Sequence, residues 1–417
     1  MTVWAHELRL LVRQRIAVGA LILMTLLSAA SVWAGLAEIA RQHAAIERIQ
    51  PQQAEDEAAI ARWVSVEGDA GNAAYYSFHA TWDAPSAFAF AALGQRDVAP
   101  YVLRVRALGL EGQLQESENY NAELALPGRF DWAFVLIYLA PLLLIALLHD
   151  LRSGEREMNR AVMLQAVAQS PGTLWARRIV LRAGFLAAAL IMPFIVGATL
   201  SGAGLTGSLA MIAAALAYLT FWTLLCLMIA RQGRASVTNA ATLAASWLVL
   251  TLILPALALV VINGAIPVRQ GVELTLAQRE NVHAGWDRPK DATMQAFFRE
   301  YPEWRNTPPI EGGFHWKWYY AFQHMGDVSV RPQVAAYRAG LEARACWTQR
   351  LGWLLPAVGV QSLLHRQART DLSAQLAYQD RIRAFHHRLR RYYYPYVFNE
   401  TPFRQADFAN APRWEQD

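Results

Sequence analysis

The residues in this chain best suited to specific chemistry are paired charges on one short loop. Asp150-Leu151-Arg152-Ser153-Gly154-Glu155-Arg156-Glu157 opens the loop, Arg160 follows, and Ser170-Pro171-Gly172-Thr173 closes it. Glu155 and Glu157 near a helix start suit the positive end of the macrodipole. Ser170 can cap a second helix with Pro171 at its first position, where a missing N–H costs nothing. The pattern predicts a short helix over 154–169, a sharp corner and another helix. Taken alone, these residues fit either a docking element or an ordinary charged loop.

Other chemistries lack their residues. No GxxxxGK[ST] can be built around Lys290 or Lys317, the only lysines, so the chain holds no P-loop. Neither GxSxG nor HExxH occurs. His386 and His387 invite a metal reading, but neighbours on a helix point about 100° apart and rarely bind one ion together. A solvated helix face is expected there. Cys226 lies inside an apolar run and Cys346 near a different one, which argues against a disulfide, and no CxxC or Cys/His cluster suggests zinc.

The elements that position the loop are apolar and long. Ala183 to Ala230 contains no charged residue and breaks at Ser201-Gly202-Ala203-Gly204. Each half has roughly the 20 residues a bilayer requires, and backbone amides in hydrocarbon must bond internally, so both should be helices. Three further runs qualify: Ile16–Ala37, Trp132–Leu148 and one within Ala235–Val268. The first has no cleavage site behind it and reads as a retained span. Composition agrees, with 55% hydrophobic and 17% charged residues over 417 positions. The formal charge of +5 is almost all arginine, spread beside the apolar runs, which makes nucleic acid a poor partner.

Arginine asymmetry orients the spans. Arg9, Arg13 and Arg15 precede the first. Arg152, Arg156, Arg160, Arg177, Arg178 and Arg182 lie between the second and third, and Arg231 and Arg234 between the fourth and fifth. These segments should be cytoplasmic, with 38–131 and everything after about Val268 on the other side. Leu351–Val360 is apolar but half the length of a span. It should be a re-entrant, interfacial or core helix, although the arginine-rich 366–391 would suit cytoplasm.

Residues 38–131 open with helical periodicity at Ala40, Ala44, Ile46 and Ile49, and Tyr101–Arg106 alternates like a strand. Residues 269–417 read as mostly helical. Leu372, Leu376, Ile382, Phe385, Leu389 and Tyr392 form one amphipathic helix, which Pro395 should stop. Trp304, Trp316, Trp318, Tyr319 and Tyr320 read as a small-domain core or an interfacial belt, with a ligand cleft as the sharper alternative.

The loop resembles that of type-2 ATP-binding-cassette (ABC) permeases, in which a Gly-Glu-Arg-Glu-like stretch and a Ser-Pro corner follow the second span. Leu93–Pro100, Asn121 to Asp131 and Pro141-Leu142-Leu143-Leu144 resemble a subfamily with large loops after spans one and five. Leu351–Asp371, Phe385-His386 and Pro412-Arg413-Trp414 fit it too. Two features depart from the pattern. Met158-Asn159-Arg160 stands where the family usually has Gly-Thr-Leu. The family also ends on a further span, which is either missing from this sequence or replaced by the segment near Trp353.

The apolar runs and the resemblance together imply a mainly α, polytopic helical membrane protein with five transmembrane helices, a sixth doubtful or missing, and an α/β-mixed extracytoplasmic domain. Residues 1–15 would be a cytoplasmic elbow helix carrying Glu7, Arg9, Arg13 and Arg15. Spans would lie at 16–37, 132–149 and, three of them, within 183–268. The outer domain would comprise 38–131 and 269–417, and 150–182 would be the coupling loop. Gly154, Glu155, Arg156, Glu157, Arg160, Ser170 and Pro171 would contact a separate ABC ATPase dimer, which binds the ATP. The chain itself would need no cofactor and would not be an enzyme. Its partners would be that ATPase, a second permease chain, the lipid bilayer and an envelope or periplasmic protein, in a bacterial inner membrane. Export is the implied activity, and mechanical action on an envelope partner is the alternative. An enzyme with its site in the outer domain lacks any recognisable acid–base or nucleophile set.

Overall fold

The computed structural model describes residues 3–115, 129–167, 171–269 and 271–415. In the first part, α1 (Val3–Arg13) turns at Gln14 into α2 (Arg15–Glu67), followed by α3 (Ala70–Tyr76), β1 (His79–Trp82), β2 (Val102–Val105) and α4 (Glu111–Leu114). A composite helix joins α5 (Trp132–Phe134) to α6 (Ala140–Leu148) through a π-helical turn at Val135–Leu139. Two short helices, α7 (Ser153–Glu157) and α8 (Ala161–Val167), precede α9 (Pro171–Leu200) and α10 (Leu205–Ala230). A second π-turn, Val249–Ile253, joins α11 (Ser236–Leu248) to α12 (Leu254–Ala265). The remainder is α13 (Gly271–Ala284), α14 (Lys290–Glu300), α15 (Trp316–Leu351), α16 (Pro356–Ala368), α17 (Leu372–Asn399) and α18 (Gln405–Ala409).

Five of these helical stretches are long and apolar enough to cross a membrane. They form one bundle whose core holds Trp132, Leu136, Leu144, Leu190, Phe194 and Trp222. Pro141 and Pro193 stand inside the bundle, each freeing a carbonyl one turn earlier. Pro141 leaves Ile137 O without its intrahelical donor, and the Tyr218 hydroxyl donates to it at 3.0 Å. Leu190 O, beside the Ala189 carbonyl that Pro193 frees, accepts from Ser28 Oγ at 2.8 Å and Trp132 Nε1 at 3.1 Å. A side chain on a neighbouring helix thus satisfies the group that Pro141 exposes.

The first apolar run does not end where its hydrophobicity ends. α2 continues for 53 residues, about 80 Å at 1.5 Å per residue. The boundary expected at 37/38 therefore falls inside a helix. Beyond it the surface changes from apolar to charged while the backbone stays helical, and Gly68 closes it in the left-handed region at φ 70°. Gly35 lets the chain approach closely: a Cβ there would lie 1.9 Å from Phe90 O. Phe90 itself plugs the distal end of the bundle, 5.9 Å from the Phe194 ring.

Residues beyond the bundle build a single distal domain. Val64, Trp82, Phe297, Tyr320, Phe385 and Trp414 share one core, so segments before α5 and after α12 fold together. The expected strand is present as β2, paired antiparallel with β1. This two-stranded ribbon is the only sheet among the described residues, so the domain is far more helical than α/β-mixed. Pro395 does not stop α17. Buried Val397 and Phe398 hold one more turn, and Glu400 ends the helix at φ 57°. Trp318 and Tyr320 are buried, which makes the aromatic cluster core. His386 is buried as well and bonds Leu108 O at 2.9 Å, so only exposed His387 sits on the solvated face expected for both.

The apolar run Leu351–Val360 is not one helix. Leu351 ends α15, a turn follows, and α16 begins at Pro356. α16 is 13 residues long and lays Ala357, Leu364 and Ala368 into the bundle core at its distal end. Trp353 and Leu354 in the turn are exposed.

Burial of His79 in β1 carries a pH prediction. Its Nε2 lies 3.1 Å from Tyr393 Oη, and desolvation holds its pKa down at about 4. An unfolded histidine titrates near ~6.5, so the unfolded chain takes up a proton that the folded one refuses. This contribution is complete above about pH 6.5 and is lost as pH falls toward about 4, a span worth about 3 kcal/mol. His324, lowered to about 2, and buried His386, lowered well below its ordinary value, act in the same direction. Asp131, raised to about 6 by burial, opposes all three. The thermal midpoint should fall between pH 7.5 and 5 by clearly less in His79→Gln than in the unchanged protein. Equal losses in the two proteins would assign the acid sensitivity elsewhere.

Candidate functional site

The three arginine-bearing segments, far apart in sequence, meet at one end of the bundle. Glu7 of α1 points inward and is buried. Arg178, near the start of α9, donates from Nε to Glu7 at 3.1 Å and from Nη1 to Glu155 of α7 at 3.0 Å. Glu155 also meets Arg160 at 2.9 Å. One guanidinium thus ties the elbow, the loop and the third long helix together, with its plane near the Trp175 ring. A cavity of about 140 Å³ lies among Glu7, Gln14, Glu155, Arg160 and Arg182.

Two further clamps fix the loop. Arg182 donates to Gln14 Oε1 at 2.8 Å and to Leu147 O at 2.5 Å. The second bond satisfies a terminal carbonyl of α6, at the negative end of its dipole. Across the loop, Arg156 Nη2 donates to Arg234 O at 2.6 Å, and Glu157 accepts from the Ser236 amide at 2.7 Å. Glu157 therefore neutralises the N-terminus of α11, the helix expected as span five.

The helix expected over 154–169 is two helices. Asn159 adopts φ 54°, and Arg160 N bonds back to Glu155 O at 2.9 Å, closing α7 in the way a left-handed cap does. Asparagine tolerates this region, and the Met158-Asn159-Arg160 departure is where the corner forms. Gly154 lies within α7 and Pro171 is the first residue of α9. Ser170 lies outside the described residues. Around the corner, Met158, Val162 and Met163 are exposed, forming an apolar knob between charged flanks.

Of the residues expected on the elbow, Arg9 and Arg13 are exposed on α1, Arg15 is exposed as the first residue of α2, and Glu7 makes the interior contact. Trp4, Leu8 and Val12, one turn apart, form an exposed apolar stripe. Arg178, Arg182 and the Ser236 amide were legible only as charge asymmetry or not at all. Their partners lie on other elements, and no local spacing encodes them. Among the described residues, no group of three or more His, Cys, Asp or Glu side chains is placed to hold a metal ion.

Fold and site together define a mainly helical chain with five helices able to span a bilayer and one charge-laced end. A family model described as "Domain of unknown function (DUF3526)" matches residues 272–417, whose described part lies in the distal domain and α16. No curated protein and no solved structure matches the chain.

Proposed function

We propose that this chain is the membrane-embedded permease subunit of an ABC-type exporter, driven by a separate ATPase dimer. The observation that carries the reading is the convergence of α1, the α7–α8 corner and the start of α11 on one end of the bundle. A corner clamped to the elbow and to two long helices can pass a push into all of them. Its exposed Met158, Val162 and Met163 offer a partner groove an apolar knob ringed by charge. In this reading the charged end is cytoplasmic in a bacterial inner membrane, and the distal domain is extracytoplasmic. ATP is bound by the partner, and a second permease chain completes the pathway. The stripe Trp4, Leu8 and Val12 would lie along the lipid surface, with Arg9 and Arg13 near headgroups.

A mechanical role without substrate passage is the second reading. The 53-residue α2 supports it, because one unbroken helix joins the clamped end to the distal core. Motion at the loop would then move the distal domain as a lever acting on an envelope partner. A continuous cavity between paired second and fifth spans would favour transport, and a sealed interface would favour the lever.

Glu155→Arg with Glu157→Arg tests the common part of both readings. The chain purified from membranes should carry an ATPase subunit and hydrolyse ATP. The double variant should insert normally but lose coupled hydrolysis by roughly tenfold or more, since two charge-assisted anchors are reversed. Unchanged hydrolysis, or an unmodified chain that carries no ATPase, would end the proposal.

A further inference from the structure

The distal domain contains a cleft of about 410 Å³ between α15 and α17, outside everything assigned above. Ligand pockets begin at roughly 300 Å³. One wall is apolar, with Leu110, Tyr301, Val334 and Ala335. The rest is ionic: four guanidinium groups and three carboxylates line it.

The pairing among these charges decides what the cleft can accept. Arg383 bonds Glu111 at 2.7 Å, Arg390 bonds Asp327 at 2.8 Å, and Arg338 bonds Asp380. Each carboxylate is thus matched by its own arginine. The fourth, Arg331, meets only Glu300 on the rim, through Nη2 at 3.0 Å, and its side chain is 62% exposed. Its other N–H groups have no partner among the described residues. At the floor, Arg390 Nη1 donates to His324 Nδ1 at 2.8 Å, which places the neutral ring's proton on Nε2. His324 is 5% exposed, and that Nε2 has no hydrogen-bond partner. A cation entering here would find every carboxylate already taken. An anion would find an open guanidinium fork beside an apolar wall.

We propose that this cleft binds a small organic anion, a carboxylate or phosphate monoester with an apolar body, whose charged end meets Arg331 and whose body lies on Tyr301, Val334 and Ala335. Guanidinium matches both head groups in a planar, two-point geometry. The site belongs to this chain alone and does not depend on the transport reading.

The test uses the full chain in lipid nanodiscs, with no ATPase present. Phenylacetate and phenyl phosphate are titrated calorimetrically, with benzyl alcohol and benzylammonium as neutral and cationic counterparts. Saturable one-to-one binding of at least one anion is expected, and which anion binds more tightly identifies the head group. Losing a charge-assisted bond should weaken binding roughly tenfold or more in Arg331→Gln. Because Arg331 is exposed, that variant should keep the thermal midpoint of the unchanged protein. Ala335→Trp, which fills the apolar wall, should also weaken binding. Equal binding of the uncharged or cationic compound, full binding by Arg331→Gln, or no saturable binding of either anion at millimolar concentration would overturn the proposal.

Discussion

Asp327→Ala is expected to destabilise the distal domain by about 3–5 kcal/mol, the usual cost of leaving a buried charge without its partner. Asp327 Oδ2 accepts from Arg390 Nη2 at 2.8 Å in a region where both side chains are nearly buried. Its carboxylate also accepts from the amides of Leu110 at 2.9 Å and Glu111 at 3.1 Å, which holds the start of α4 against α15. Alanine leaves a guanidinium and two amides short of an acceptor at once. The thermal midpoint should fall by roughly 10 °C. Asp327→Ala combined with Arg390→Met should recover part of the loss, because no unpaired charge remains. A single variant as stable as the original protein, or a double variant no better than the single, would show that this pair does not hold the domain.

Arg178→Glu should release the elbow. The substitution places three carboxylates where Glu7 and Glu155 now flank one guanidinium at 3.1 and 3.0 Å. All three groups are largely buried, so water screens the repulsion weakly. Amide hydrogen exchange of α1 should accelerate at least about tenfold, equivalent to about 1.4 kcal/mol of lost protection. The long helix α2 should keep its exchange pattern beyond its first turns, because its contacts with α9 continue along the bundle. Arg178→Glu with Glu155→Arg should restore part of the protection. Unchanged exchange of α1 in the single variant would mean that the elbow is held by its apolar contacts, Leu11 above all, and the ionic node is dispensable.

How far the sequence reached can be read from particular residues. The break at Ser201–Gly204, the strand at Val102–Val105 and the short apolar run at Leu351 were all visible, because each rests on local composition or period. The end of α17 was misplaced because a proline removes one bond, and whether the helix continues depends on what buries the next turn. The loop corner was misread because Asn159 in a left-handed conformation leaves no signature in hydrophobic period. His386 was misassigned because the Leu108 carbonyl that binds it lies far away in the chain.

By itself, then, the sequence determined where the long apolar runs lie and where one of them breaks, which loops carry arginine, and which motif-borne chemistries lack their residues. Those properties follow from hydrocarbon's exclusion of charge and unpaired backbone, which acts segment by segment. Only the tertiary structure decided that Arg178 joins Glu7 to Glu155, that two distant stretches share one distal core, and that three cleft arginines pair with the cleft's own carboxylates while Arg331 meets only Glu300 at the rim. Such pairings depend on distances of about 3 Å between elements far apart in the chain, and burial sets their strength.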